Sequence, residues 1–140
     1  MYVKGTISRP YRLPLVLSTS DVRGSAPAAM SSALAKALGD KKGIRRYGHF
    51  TLPMDDALAL CAVDLGGRPY LNFDCHFPMD RVGELDTELV KEFFYAVSYS
   101  AGINLHIKML AGDNTHHMIE AIFKAFAMAC PSTMPVSSTV

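Results

Sequence analysis

The sequence has few cysteines, almost no net charge and no long apolar run, and each shortage removes a class of protein. Cys61, Cys75 and Cys130 form an odd set without a Cys-x-x-Cys pair, which argues against a disulfide scaffold and a zinc ribbon. They suit a reducing compartment, as small buried apolar residues or inert thiols. Lysine and arginine number 14 against 13 aspartates and glutamates, for a formal charge of +1. No general field therefore draws the chain to nucleic acid or an anionic membrane, and any phosphate must be gripped locally. No stretch approaches the roughly 18 apolar residues of a membrane span, and Leu13 to Leu17 is too short for a signal-peptide core. A soluble, cytoplasmic protein is expected.

What remains is an ordinary globular balance of 49% apolar and 19% charged residues over 140 positions. One core is expected, and at this length a compact fold buries roughly 68% of the unfolded surface without needing a staple. Residues 1–27 differ from the rest: Lys4, Arg9, Arg12 and Arg23 mix with serine and threonine, and Asp21 is the sole acid. Such a stretch fits an irregular segment, and it also loosely resembles a transit peptide, which would place the protein in a plastid. Residues 131–140 read as a tail, leaving 28–130 as the organised domain.

Within that domain, Ala28 to Leu38 are strong helix formers and Gly39 can close the helix. Gly48 to Pro53 and Leu58 to Leu65 have strand composition around an Asp55-Asp56 turn. Gly66-Gly67 is a hairpin signal, so Arg68 to Phe73 is expected to fold back on the preceding strand. Asp86 can cap a helix from Thr87 to about Ala101, with Leu89, Val90, Phe93, Phe94 and Val97 as its apolar stripe. Asn104 to Leu110 alternates apolar and polar residues with the period of a half-buried strand. Asn114 or Thr115 can cap a last helix to about Ala129, burying Ile119, Ile122, Phe123 and Phe126. The order β-β-β-α-β-α makes a two-layer α+β sandwich with one sheet face covered and the other left for a second domain or subunit.

The start of the last helix carries the chemistry. At ~100° per residue, Glu120 lies ~40° from His116 and ~60° from His117, so three metal-ligand types share one corner opposite the apolar stripe, and Lys124 continues the row. Imidazole and carboxylate suit borderline divalent cations. Successive side chains diverge, so the two histidines would serve two neighbouring ions rather than one. The alternative is a solvated face whose glutamate merely sits near the helix dipole. His106, on the preceding strand, can approach the corner or can be a hydrogen-bonded strand histidine. His49 and His76 have no partner at ligand spacing.

The run from Gly112 through Asp113, Asn114, Thr115, His116, His117, Met118, Ile119, Glu120, Ala121, Ile122 and Phe123 to Lys124 resembles the second signature of the imidazoleglycerol-phosphate dehydratase family. The likeness continues through Gly39 to Gly48, Met54 to Leu58, Asp64 to Tyr70 and Asp86 to Phe94, and so covers about Ala33 to Ala129. It implies a hydro-lyase of histidine biosynthesis that removes water from imidazole glycerol phosphate to give imidazole acetol phosphate. It implies two manganese ions in a Lewis-acid and template role, and two similar halves with the ribosomal protein S5 domain 2-like fold. It also implies trimers that assemble into a 24-subunit shell with active sites at subunit interfaces. On this resemblance His116, His117 and Glu120 are metal ligands, and Glu92 is a carboxylate in place of a ligating histidine or else a plain helix glutamate. Arg46 and Arg68 match the arginines that hold the substrate phosphate, or else are surface salt-bridging residues, and Lys124 matches the substrate-binding lysine that ends the signature; a phosphate needs several convergent donors on a chain without net basicity.

The resemblance also exposes departures. Aligned on the first half's helix, whose remnant would be Ala33 to Leu38, the paired histidines should fall near Ser20-Asp21 and the glutamate near Gly24. No histidine precedes His49. At the other end the Ser-Ser/Thr-Lys phosphate element is only echoed by Ser132-Thr133, with Met134 in the lysine's place. The expectation is a family member missing one half of its metal site, including the family's proton-shuttle carboxylate, and weakly active or inactive by itself. The other reading is a non-catalytic subunit that assembles through its bare sheet face.

Overall fold

The structure, a computed structural model, describes residues 24–130. Residues 1–23, most of the N-terminal segment with its transit-peptide reading, and the tail with Ser132-Thr133, lie outside the described residues, whereas Ser25 to Pro27 of that segment belong to the first helix. The first element, α1 (Ser25–Leu38), starts three residues ahead of the expected helix. Pro27 stands in its first turn, where a missing N–H goes unmissed, and the Ser31 hydroxyl bonds back to the Pro27 carbonyl at 2.8 Å. Gly39, at φ +49°, closes it and donates to the Ala35 carbonyl.

The antiparallel pair β1 (Tyr47–Met54) and β2 (Ala57–Asp64) turns at Asp55-Asp56, with Asp55 at φ +48°. Next come β3 (Tyr70–Asp74), the short ribbon β4 (Arg81–Val82) with β5 (Leu85–Asp86), α2 (Glu88–Ala101), β6 (Asn104–Ala111) and α3 (Thr115–Ala129). Apart from the ribbon this is the expected β-β-β-α-β-α order, and the chain is α+β.

The strand neighbours are not the expected ones. The sheet order is β1-β2-β6-β3, and β3 runs parallel to β6 instead of folding back on β2. The second edge of β2 is taken by β6, whose eight-residue alternation gives a longer antiparallel register than the five-residue β3 can offer. Gly66-Gly67 therefore serves a crossing. The chain passes against the start of β6, where a β-carbon on Gly102 would stand 3.4 Å from the Gly67 carbonyl oxygen. Ser98, fully buried, lies 2.8 Å from both the Tyr70 and Ile103 carbonyls and ties the crossing to α2.

One sheet face is covered. Phe50, Cys61, Ile107 and Phe73 stand in one row of the register, with Leu52, Ala59, Val63, Leu105 and Leu71 on the same side. α3 packs on β1 and β2, α2 on β3, and α1 on α2. All five residues expected on the α2 stripe are buried, as are Ile119, Ile122, Phe123 and Phe126. The opposite face carries Tyr47, His49, Thr51, His106, Lys108, Tyr70 and Asn72, all exposed. The cap of α2 differs from expectation: Asp86 pairs with Arg81 at 2.8 Å, and Thr87 occupies the cap position while its hydroxyl donates to the Met79 carbonyl. The ribbon puts Arg81 opposite Asp86 and so draws that carboxylate away from the helix amides.

Candidate functional site

The last helix begins at Asn114, whose side chain accepts from the His117 amide at 3.1 Å. That cap fixes the direction in which His116, His117 and Glu120 leave the helix. Glu120 is central to one row: its Oε2 lies 3.4 Å from His116 Nε2, and its Oε1 lies 2.7 Å from Lys124 Nζ. Lys124 Nζ in turn reaches Met54 Sδ at 4.0 Å. His117 points elsewhere, with its ring centroid 6.3 Å from that of His116.

Its partner is a residue that sequence reasoning treated only as a turn. Asp56 Oδ1 lies 2.6 Å from His117 Nδ1, and Asp56 Oδ2 accepts the Asp113 and Asn114 amides at 2.6 and 2.8 Å. One carboxylate thus pins the start of α3 to the β1–β2 turn and orients a ring. The Asn114 amide, the His117 ring and the Asp113 amide hold the Asp56 carboxyl well below its usual range. The same hydrogen bond raises the His117 pKa. Asp55 adds a second carboxylate, Oδ2 lying 3.6 Å from His117 Nε2. A pair of acids in a turn within the matched Met54 to Leu58 stretch was the available signal.

The donor chemistry fits divalent cations in two separate halves. Ligand bonds of about 2.1 Å put neighbouring donors on one ion roughly 3.0–3.4 Å apart, the separation of His116 Nε2 from Glu120 Oε2. His117 Nε2, 3.6 Å from Asp55 Oδ2, suits a second ion. Among the described residues, however, no three histidines, cysteines or acids converge as a complete metal-holding group. Glu92 is not brought to the corner: it lines a groove between α1 and α2 with Gly24, Pro27, Ala28 and Glu88. His106 lies on the exposed sheet face, its ring 5.5 Å from that of Tyr70. The thiols are inert where they stand, burial pushing Cys75 and Cys130 up to about 12 and Cys61 higher still.

The arginines occupy a different place. Arg46 grips Asp64 through two bonds of 2.6 and 3.0 Å and stacks over Tyr47. Arg68 is exposed and close enough to help lower the Asp64 pKa, after the larger effect of Arg46. Arg46 precedes β1 and Asp56 follows it, so eight strand residues, roughly 25 Å, separate the arginines from the histidine corner. Lys124 stays with the histidines. Within one chain the two groups cannot hold one small substrate.

The family model described as imidazoleglycerol-phosphate dehydratase matches residues 25–130. The chain is 61% identical over 100 residues to the imidazoleglycerol-phosphate dehydratase of Lachnoclostridium phytofermentans, covering 71% of this chain and 51% of that protein. It is 55% identical over 109 residues to that of Desulforudis audaxviator, covering 78% and 56%. Among solved structures, imidazoleglycerol-phosphate dehydratase from Staphylococcus aureus superposes with a TM-score of 0.75 at 44% identity, covering 79% of this chain and 65% of that one. The Pyrococcus furiosus structure gives 0.72 at 34% identity, covering 81% and 63%. The chain spans about half the length of the curated relatives it matches.

Proposed function

The chain belongs to the imidazoleglycerol-phosphate dehydratase family, and we propose that it contributes one half of the site that dehydrates imidazole glycerol phosphate to imidazole acetol phosphate in histidine biosynthesis. The observation that carries this reading is the His116–Glu120 pair beside a divergent, carboxylate-oriented His117. His116 and Glu120 would hold one manganese ion and His117 another, while Glu92, in the groove between α1 and α2, stands apart from both. When bound, these ions would supply Lewis-acid binding of the imidazole ring, which eases loss of the non-acidic hydrogen beside it. Lys124 would meet the phosphate from the corner side, and Glu120 holds its ammonium in place until then. Arg46 and Arg68 would grip phosphate with forked donors, but from the far end of the sheet.

The roughly 25 Å between arginines and histidines supports a site composed from two polypeptides, with the exposed sheet face as the contact surface. The proposed domain, 28–130 by sequence, extends to Ser25 if the whole of α1 is counted, a homo-oligomer is the proposed partner state, and trimers building a larger shell extend it. No helix among the described residues is long and apolar enough to cross a membrane, and the proposed site of action is the cytoplasm. The test is turnover of imidazole glycerol phosphate by the purified chain with manganese, alone and as a mixture of His116→Ala and Arg46→Ala copies. Shared sites give weak turnover for the unmixed chain, less for each variant, and partial recovery on mixing. Calorimetry finding two tightly bound manganese ions per monomer would contradict the half-site. The incomplete donor set also supports a second reading, a non-catalytic assembly subunit, which copurification with an active dehydratase and no turnover of its own would favour.

A further inference from the structure

We infer that Asp56 is a positioning residue that fixes His117 as its Nδ1–H tautomer and so leaves the Nε2 lone pair free to face a divalent cation. The tautomer follows from local hydrogen bonding, and its use rests on the metal reading of the corner. Two backbone amides, Asp113 and Asn114, point at Oδ2. Amides only donate, so Oδ2 must accept, and both oxygens of an ionised carboxylate are acceptors. Oδ1 therefore also accepts, and the atom 2.6 Å from it, His117 Nδ1, carries the proton. A neutral imidazole holds one N–H, so Nε2 is bare. Among the described residues none hydrogen-bonds Nε2: Asp55 Oδ2 at 3.6 Å is beyond hydrogen-bond distance. A carboxylate behind a ligating histidine orients the ring and raises its basicity. Here the same carboxylate also closes the start of α3, so the orientation of the ring and the position of the helix are set together.

Asp56→Asn separates the two duties without changing shape. The amides still demand an acceptor, so the introduced carboxamide must turn its oxygen to them and its NH2 to His117. Nδ1 is then forced to accept, the proton moves to Nε2, and the face offered to a cation is blocked. The same exchange in a serine-protease triad leaves the geometry intact and the imidazole in the wrong tautomer. The experiment is nitrogen-15 imidazole spectroscopy of the metal-free chain at alkaline pH, followed by titration with manganese chloride read as paramagnetic broadening of the His117 ring signals. The expected result is an Nδ1–H ring in the wild type and an Nε2–H ring in Asp56→Asn. Half-maximal broadening should then need about 10 to 100 times more manganese in the variant, with the folded circular-dichroism spectrum retained. A wild-type ring protonated on Nε2 overturns the inference and needs no variant to show it. An unchanged tautomer or unchanged broadening in Asp56→Asn overturns it equally. A tautomer that switches as described in a chain whose His117 never responds to manganese supports the positioning role and overturns the metal reading instead.

Discussion

Removing the ring of Phe94 should cost the fold more than any other single truncation in the helix layer. The residue is fully buried, and its ring centroid lies 4.9 Å from Phe123, 5.2 Å from Phe93, 5.3 Å from Phe126 and 6.4 Å from Phe73. Phe94 thus joins α2, α3 and the edge strand β3 at one point. Replacing a buried phenylalanine by alanine loses about 3–5 kcal/mol, from lost transfer free energy and the cavity left behind. With a urea slope of roughly 2 kcal/mol/M, the midpoint falls by about 2 M. Domains have only about 5–15 kcal/mol in total, so Phe94→Ala comes close to unfolding a chain at the low end. A gentler set guards against that outcome: Phe94→Leu, Phe123→Leu and the double variant, each melted in urea and followed by circular dichroism. Because each single variant already breaks the tilted pair at 4.9 Å, the double variant should lose about 0.5–1.5 kcal/mol less than the sum of the two single losses. A coupling indistinguishable from zero, or a loss below about 1 kcal/mol for Phe94→Ala, would mean that the aromatic cluster is not packed as described.

At Gly102, φ +64° and ψ +44° are left-handed, and a β-carbon would also meet the Gly67 carbonyl. Gly102→Ala should cost about 1–2 kcal/mol for its left-handed backbone, and an unchanged thermal midpoint would refute that conformation. The Arg46–Asp64 pair is partly exposed, 46% and 23% for the two side chains, so Asp64→Asn should change stability by at most about 1 kcal/mol and by less in strong salt. A loss of several kcal/mol would show that Asp64 does more than pair with Arg46. His117 is raised above its ordinary 6.5, mainly by the Asp56 hydrogen bond, so its contribution is full below that value and lost as pH rises through the raised one. Asp56 is lowered from 3.8, so its contribution is present above that value and lost as pH falls through the lowered one. The stability difference between wild type and Asp56→Ala should therefore peak between roughly pH 4 and 6.5 in urea melts, and a flat difference would refute the pairing.

Much of the fold was legible because the elements carry periodic signals. Leu89 to Val97 and Ile119 to Phe126 repeat at helical spacing, Asn104 to Leu110 at strand spacing, and the structure buries the faces they specify. Period two assigns residues to a face but says nothing about which strand lies alongside. Hence Gly66-Gly67 passed for a hairpin, although it crosses over β6 to reach β3. The site was half legible for a related reason. His116, His117 and Glu120 fall within one helical turn, where spacing is informative. Asp56 stands 61 positions before His117, and only the packing of a β-turn on a helix N-terminus brings them to 2.6 Å.

The strand order also decides how the charged groups can be used. With β6 inserted between β2 and β3, the β1–β2 pair forms one side of the sheet, its open end at Arg46 and Asp64 and its turn at Asp55 and Asp56. α3 packs along that pair and starts at the turn, so the histidines can stand only there. Arg46, Asp64 and the exposed Arg68 are held at the other end by the same register. On a chain with a formal charge of +1, any phosphate would need local clusters, and this chain separates its arginine cluster from its histidine corner by the length of a strand. Flexing one loop cannot close such a gap, because the eight-residue ladder between the two ends is continuous. If both clusters act on one substrate, the arginines and the histidines must come from different polypeptides.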